Sequence, residues 1–342
     1  MKKLLSIIAI VILIFGFLPI TDANAATKNL KVHFINVGQG DSILVQAPAG
    51  KNMLIDGGPK TAGKDVVSFL KSKGVKTLDY VVATHPDADH IGGLIDVLKS
   101  FKVKHFIDSG RTHTTDTYYE LLTLVDKKKI NYIVPTPLKT YQLDPKMKTQ
   151  VLYSNNKAED SNNASIVLKL TYNKVSFLLT GDATKEIEEQ LASKYKVNAT
   201  VLKAGHHGSD TSSSPKFISK VKPKVAILSY GKDNMYGHPH ASVIKSLKNV
   251  GAKIYKTPIH CNITVTTDGK THKVTNACPK ASTSKASTGK TTTNPSTTTK
   301  TSQTKFKNCT EMRKVYPYGV KKGHPAYEKK HDRDGDGVAC EK

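Results

Sequence analysis

Cysteine is missing from the first 260 residues; all four, Cys261, Cys278, Cys309 and Cys340, lie in the last quarter of the 342-residue chain. That excludes disulfides and thiolate metal ligands from most of the molecule. Acidic residues are scarce, 28 against 52 Lys and Arg, which gives a formal net charge of +24. The excess is spread throughout: residues 26–278 hold 36 basic against 21 acidic side chains, residues 279–304 four against none, and residues 305–342 ten against six. Such a surface attracts polyanions, whether DNA or anionic cell-wall polymers. Long apolar runs are lacking too, with one exception. Lys2 and Lys3 precede the stretch Leu4 to Ile20, and Ala23-Asn24-Ala25 supplies a small-x-small cleavage site. This is the pattern of a secretory signal peptide over residues 1–25. The mature chain is therefore expected to be secreted, extracellular or wall-associated, with no transmembrane segment after cleavage; the apolar stretch is also long enough for the alternative, an uncleaved membrane anchor.

Export suits the cysteines. An even number in an oxidising compartment implies disulfides, for which three pairings exist. Residues 279–304 consist almost wholly of Ser, Thr and Lys and cannot bury enough apolar surface to order themselves, so they read as a disordered linker. Because that linker separates two cysteines from the other two, the favoured pairs are Cys261 with Cys278 and Cys309 with Cys340. The expected layout is a hydrolase domain over residues 26–278, the linker, and a small domain over residues 305–342.

What the large domain does have is metal-binding side chains at the ends of apolar strands. His85-Pro86-Asp87-Ala88-Asp89-His90 follows the run Leu78 to Ala83 and precedes Gly92-Gly93 and a helix expected to extend to Phe101. One isolated Asp there would be a helix cap. Two His and two Asp at this spacing point instead to a metal site, the more so because Asp56-Gly57-Gly58, Gly181-Asp182 and Gly205-His206-His207 end other apolar strands. Strand ends that share one sheet edge would bring these groups together. Short strands cluster first as hairpins and then alternate with helices, which suits an α/β fold of two mixed sheets covered by helices. The tight turn sets His85 and Asp87 to one side and Asp89 and His90 to the other, so two cations could be held by adjacent pairs. If Gly205-His206-His207 is extended, successive side chains alternate, and only one histidine faces the metal. His207 is taken as the ligand and His206 as the group facing substrate.

Phe34 to Ser42, Leu54 to Gly58, Thr84 to Gly93, Asn162 to Ser165, Leu179 to Asp182 and Gly205 to Ser209 occur in the order found in the metallo-β-lactamase superfamily, and they most resemble ComEC-like hydrolase domains. The resemblance implies an αββα sandwich (metallo-β-lactamase fold) with a dinuclear site on one edge. It implies metal ligation by His85, Asp87, Asp89, His90, Asp182 and His207, with Asp182 bridging and Asp56 and Asn163 as supports behind the ligands. It also places the loop of His238 and His240 beside the site, which makes Asp89, His206 and His238 the catalytic candidates. The chain departs from the commoner pattern by carrying Asp87 where His is usual and Asn162 and Asn163 where the third motif has a His. An oxygen-richer site favours Mn over Zn, and its first position binds more weakly.

In the tail, Asp332, Asp334 and Asp336 alternate before Gly337, as in an EF-hand loop, but Glu341 falls at loop position ten instead of twelve. With Cys309 and Cys340 the segment resembles the Excalibur domain, which implies a small disulfide-stapled, EF-hand-like unit binding Ca through those four carboxylates. The combined expectation is a secreted metal-dependent phosphodiesterase or nuclease with DNA as substrate. The rival readings are a hydrolase of cell-wall phosphodiesters such as teichoic acid decorations, and a non-catalytic module whose metals order its loops.

Overall fold

A computed structural model describes residues 29–278, 305–316, 320–332 and 338–340. The expected signal peptide and linker, and the calcium candidates Asp334, Asp336 and Glu341, lie outside the described residues. The chain divides into two units, Met1–Ala281 and Ser282–Lys342.

The first unit holds strands β1 (Leu30–Phe34), β2 (Ile43–Gln46), β3 (Asn52–Ile55), β4 (Thr77–Ala83), β5 (Lys102–Asp108), β6 (Asn131–Ile133), β7 (Thr140–Tyr141), β8 (Met147–Tyr153), β9 (Val167–Tyr172), β10 (Val175–Leu179), β11 (Val201–Lys203), β12 (Val225–Leu228), β13 (Lys253–Lys256), β14 (Asn262–Thr267) and β15 (His272–Ala277). Its helices are α1 (Gly63–Ser72), α2 (Ala88–Ile91), α3 (Leu94–Ser100), α4 (Asp116–Lys127), α5 (Lys185–Lys194), α6 (Pro215–Val221), α7 (Ala241–Asn249) and α8 (Thr257–His260). One sheet runs β15-β14-β1-β2-β3-β4-β5-β6 and the other β13-β12-β11-β10-β9-β8-β7. Both are mixed. Antiparallel hairpins such as β1–β2 and β9–β10 give way to parallel runs, β3 to β6 and β10 to β13.

Side-chain alternation along the strands builds three apolar layers. Val32, Phe34 and Ile55 meet Leu168, Phe177 and Ile227 between the sheets. On the outer face of the first sheet, Leu44, Leu54 and Val81 pack against Val66 and Leu70 of α1 and Leu94 of α3. On that of the second, Leu178, Leu202 and Ala226 pack against Leu191 of α5, Phe217 of α6 and Leu247 of α7. The architecture is thus the expected αββα sandwich.

The helix expected from Ile91 to Phe101 starts instead at Leu94 as α3; Ile91 closes the separate turn α2, and Gly92-Gly93 lie between them. The cause is tertiary. A Cβ on Gly93 would lie 2.0 Å from the Gly57 carbonyl oxygen, so the chain needs two glycines where the loop after β3 crosses it.

Cys261 is bonded to Cys278, which fastens β15 to the start of β14. The second unit contains α9 (Cys309–Val315), β16 (Val320–Lys321) and β17 (Val338–Ala339). Phe306, Met312, Val320, Ala326 and Ala339 form its core, stapled by Cys309–Cys340. Closing a loop with a sequence separation of 31 stabilises so small a core by roughly 3 to 4 kcal/mol. Asp332 is described there, accepting from the Tyr327 hydroxyl at 2.5 Å.

Candidate metal centre

The parallel strands deliver the chemistry to one edge. Asp56 follows β3, His85 follows β4, Asp182 follows β10, and His206 and His207 follow β11. One oxygen organises the group. Asp182 Oδ2 lies 3.2 Å from His207 Nε2, 3.3 Å from His90 Nε2, 3.8 Å from His206 Nε2 and 4.0 Å from His85 Nε2.

The tautomers of the two inner rings follow from their outer nitrogens. His90 Nδ1 is 2.8 Å from Asp56 Oδ2, and His207 Nδ1 is 3.0 Å from the Ser229 carbonyl oxygen; both partners only accept, so both Nδ1 atoms donate. Their Nε2 atoms therefore meet, 3.3 Å apart, in the presence of Asp182 and of Asp89 Oδ2 at 3.2 Å from His207 Nε2. Two imidazole lone pairs and two carboxylates facing one point repel one another unless positive charge lies among them. The other side shows the same deficit. His85 Nε2 is 3.6 Å from Asp87 Oδ2, and His85 Nε2 and Asp182 Oδ1 are buried without a hydrogen-bond partner among the described residues. The donors thus fit cations.

Proton affinities tell the same story. Burial disfavours imidazolium at His90 and His207, yet Asp182 and the neighbouring carboxylates outweigh it and raise both well above the ordinary histidine value. Burial would likewise raise Asp182, but His207 and His90 hold it well below the carboxylate range. His85, with burial and His90 acting together, is lowered. Where no cation neutralises the carboxylates, protons do, so metal binding at this cluster releases protons.

Asp56 lies behind the cluster. It accepts from the Thr84 N–H and the Thr84 hydroxyl, each at 2.8 Å, as well as from His90, and it does so from a left-handed backbone with φ 57°. Asn163 Oδ1 accepts from the Thr184 hydroxyl at 2.6 Å and so braces the loop after Asp182 without reaching the cluster.

The extended geometry assumed for His206 and His207 is corrected. Both residues have positive φ, 46° and 56°, in a tight turn that sends the two rings toward Asp182 from different sides. His207 is buried, while His206 is part-exposed and fixed through Nδ1 to the Thr211 hydroxyl at 2.8 Å. His238 sits beyond them, with ring centroids 5.6 Å from His206 and 6.2 Å from His207. Burial and the adjacent histidines push it down to about 4. His240 is committed elsewhere, accepting from the Asp210 N–H at 3.1 Å.

Sequence reasoning missed a buried ion pair beneath the cluster. Lys203 Nζ contacts Asp41 Oδ2 at 2.9 Å, both side chains are buried, and Asp41 Oδ1 lies 3.6 Å from His207 Nδ1. Ligand atoms of Asp41, His90, Asp182 and His207 all fall within 4.8 Å of one another. Gly40 makes this possible, because a Cβ there would stand 2.1 Å from the Asp89 carbonyl oxygen. The signal was available: Lys203 interrupts the apolar run of β11, and a lysine in a buried strand requires an acidic partner.

The sequence model of the metallo-beta-lactamase superfamily matches residues 35–232, and that of the Excalibur calcium-binding domain matches residues 306–341. ComE operon protein 3 of Bacillus subtilis (strain 168) is 32% identical over 253 residues, covering 66% of this chain and 32% of that protein. Competence protein ComA of Neisseria gonorrhoeae is 31% identical over 257 residues, covering 73% of this chain and 34% of that one. The chain thus spans about a third of the length of these relatives. SPbeta prophage-derived endonuclease YokF of Bacillus subtilis (strain 168) is 65% identical over 37 residues, 11% of this chain and 12% of that protein.

Proposed function

The chain belongs to the metallo-β-lactamase superfamily, and from that premise we propose that it is a secreted, metal-dependent phosphodiesterase that hydrolyses extracellular DNA. The observation that carries this reading is the crowding of four imidazole nitrogens within 4.0 Å of Asp182 Oδ2 while His85 Nε2 and Asp182 Oδ1 have no hydrogen-bond partner among the described residues. That arrangement suits two divalent cations sharing Asp182, with His90, His207 and Asp89 on one side and His85 and Asp87 on the other. Bound cations of this kind make water nucleophilic near neutral pH and polarise a phosphoryl oxygen. The oxygen-rich His85–Asp87 side favours Mn over Zn.

The chain's own residues supply the rest. His206, the part-exposed imidazole of the four, is the group assigned to a phosphate oxygen, a role its 24% side-chain exposure supports. His238, held neutral by its surroundings, offers a hydrogen bond to substrate and not a proton for the leaving oxygen. A net charge of +24 supports a polyanionic substrate. In the tail, Asp332 with Asp334, Asp336 and Glu341 is the proposed calcium site.

The test is direct. The purified chain is incubated with single-stranded DNA, duplex DNA and lipoteichoic acid, in Mn²⁺, Zn²⁺ or EDTA, alongside Asp182→Ala. The expected result is DNA cleavage in Mn²⁺ that EDTA abolishes and that falls to background in Asp182→Ala. Cleavage of lipoteichoic acid alone would move the substrate to the cell wall. No metal-dependent turnover of either polymer would leave a binding module.

A further inference from the structure

The loop over residues 231–240 faces two ways. Its histidine end approaches the metal centre through His238, 5.6 Å from His206 between ring centroids. Its tip turns outward and leaves 43% of Met235 and 53% of Tyr236 exposed. Loop tips ordinarily carry small polar residues, and a large apolar pair beside a reaction centre points to a contact made there.

The loop is internally braced and so holds that tip in place. Asn234 Nδ2 donates to the Gly231 carbonyl at 2.8 Å and the His238 carbonyl at 2.7 Å, and its Oδ1 accepts from the His238 N–H at 2.9 Å. The Gly231 N–H donates to Gln39 Oε1 at 3.0 Å, which fastens the base of the loop to the turn carrying Asp41. Tyr236 packs on His238 with centroids 5.5 Å apart and planes 23° apart. A row of rings thus leads from the metal centre through His238 to an exposed phenol.

We propose that Tyr236, flanked by Met235, is a stacking platform for an unpaired nucleobase and directs the enzyme to single-stranded DNA. The proposal rests on the phosphodiesterase reading above. Two ring-to-ring steps of 5.5 and 5.6 Å separate Tyr236 from His206, which places a base on the platform within a nucleotide or two of a phosphate at His206. Stacking on an aromatic ring tolerates any base, because every base has a π-face. In a duplex those faces are covered by neighbouring pairs, so only an unpaired or unstacked base reaches the ring.

The experiment separates base from phosphate. Binding of fluorescent strands to the purified chain is measured by anisotropy in EDTA, where nothing is cut. A thymidine oligonucleotide is compared with an abasic strand of the same phosphate count, using wild type, Tyr236→Ala and Tyr236→Trp. Wild type is expected to bind the base-bearing strand about 5- to 100-fold tighter than the abasic one. Tyr236→Ala should bind the two alike, and Tyr236→Trp should restore the preference. Equal binding of both strands by wild type, or an undiminished preference in Tyr236→Ala, overturns the platform. Cleavage in Mn²⁺ is scored separately. A Tyr236-dependent base preference without cleavage sinks the nuclease reading and keeps the platform; cleavage without that preference does the reverse.

Discussion

His90 and His207 each have an outer nitrogen fixed by a buried acceptor, Asp56 Oδ2 at 2.8 Å and the Ser229 carbonyl at 3.0 Å. His85, on the other side of Asp182, has only hydroxyls behind it, Thr84 Oγ1 at 3.1 Å and Ser165 Oγ at 3.5 Å. The carboxylates differ in the same sense. Asp87 and Asp89 are alike, each with 35% of its side chain exposed, so the difference rests on Asp41, locked to Lys203 and 3.6 Å from His207 Nδ1. One side of the centre is therefore preorganised and the other must be ordered when it binds. The first cation should bind tightly at the His90–His207 side, and the second more weakly at the His85–Asp87 side.

Asp56→Asn attacks the preorganised side and carries the largest expected effect. Asparagine tolerates the left-handed backbone at this position, so the substitution removes charge without forcing the loop. It also leaves one acceptor oxygen where two served, so with that oxygen on the Thr84 N–H the amide NH₂ faces His90 Nδ1 and no longer fixes its tautomer. Calorimetric titration with Mn²⁺ should show the tighter equivalent weakened about 10- to 100-fold, with the weaker one little changed. Equal losses in both equivalents would break the distinction between the sides.

Asp87→Ala is the complementary change and should do less. Its side chain is 35% exposed, and a solvent-screened charge contributes about 1 kcal/mol or less. The weaker Mn²⁺ equivalent should therefore fall by roughly fivefold at most, while the tighter one holds. Loss of the tighter equivalent would place Asp87 among its ligands and overturn the assignment.

The contrast between the sides follows what was legible in the sequence. The hexapeptide His85 to His90, Asp56, Asp182 and the histidine pair each end an apolar strand, and strand ends are readable from pattern alone. Two mixed sheets covered by helices followed from the strand and helix pattern, the αββα arrangement from the family resemblance, and the cysteine pairing from the intervening linker. What pattern cannot supply is contact between distant segments. The Asp41–Lys203 pair joins the turn after β1 to the end of β11, and the break between α2 and α3 exists because Gly93 meets Gly57. The turn at His206 and His207 has a related cause: pattern alone predicts that the run after β11 continues extended, while hydrogen bonds to Ser213 and Ser229 curl it back. Short polar edge strands, β6, β7 and β15, offered too little periodicity to be seen.

A third layer extends the bracing on the preorganised side, and Glu188 tests it. Its carboxylate accepts from the N–H groups of Ser213 and Ser214 at the start of α6, and the Ser213 hydroxyl in turn accepts from the Gly205 N–H at 3.2 Å. Burial outweighs those donors and pushes Glu188 up to about 7. A carboxyl whose folded value exceeds its unfolded one contributes stability that is complete below the unfolded value and is lost as pH rises through the folded value. Between about pH 5 and about pH 8 the unfolding free energy should fall by roughly 2 to 3 kcal/mol through this group. Glu188→Gln, followed by urea denaturation at both ends of that range, should flatten that share of the slope. Asp108, which burial pushes up to about 6, contributes with the same sign and stays in both proteins, so only the difference counts. An unchanged slope would mean that Glu188 is ionised throughout. The histidine loop would then be held by a fixed charge instead of a titrating one, and its support would persist across the whole pH range.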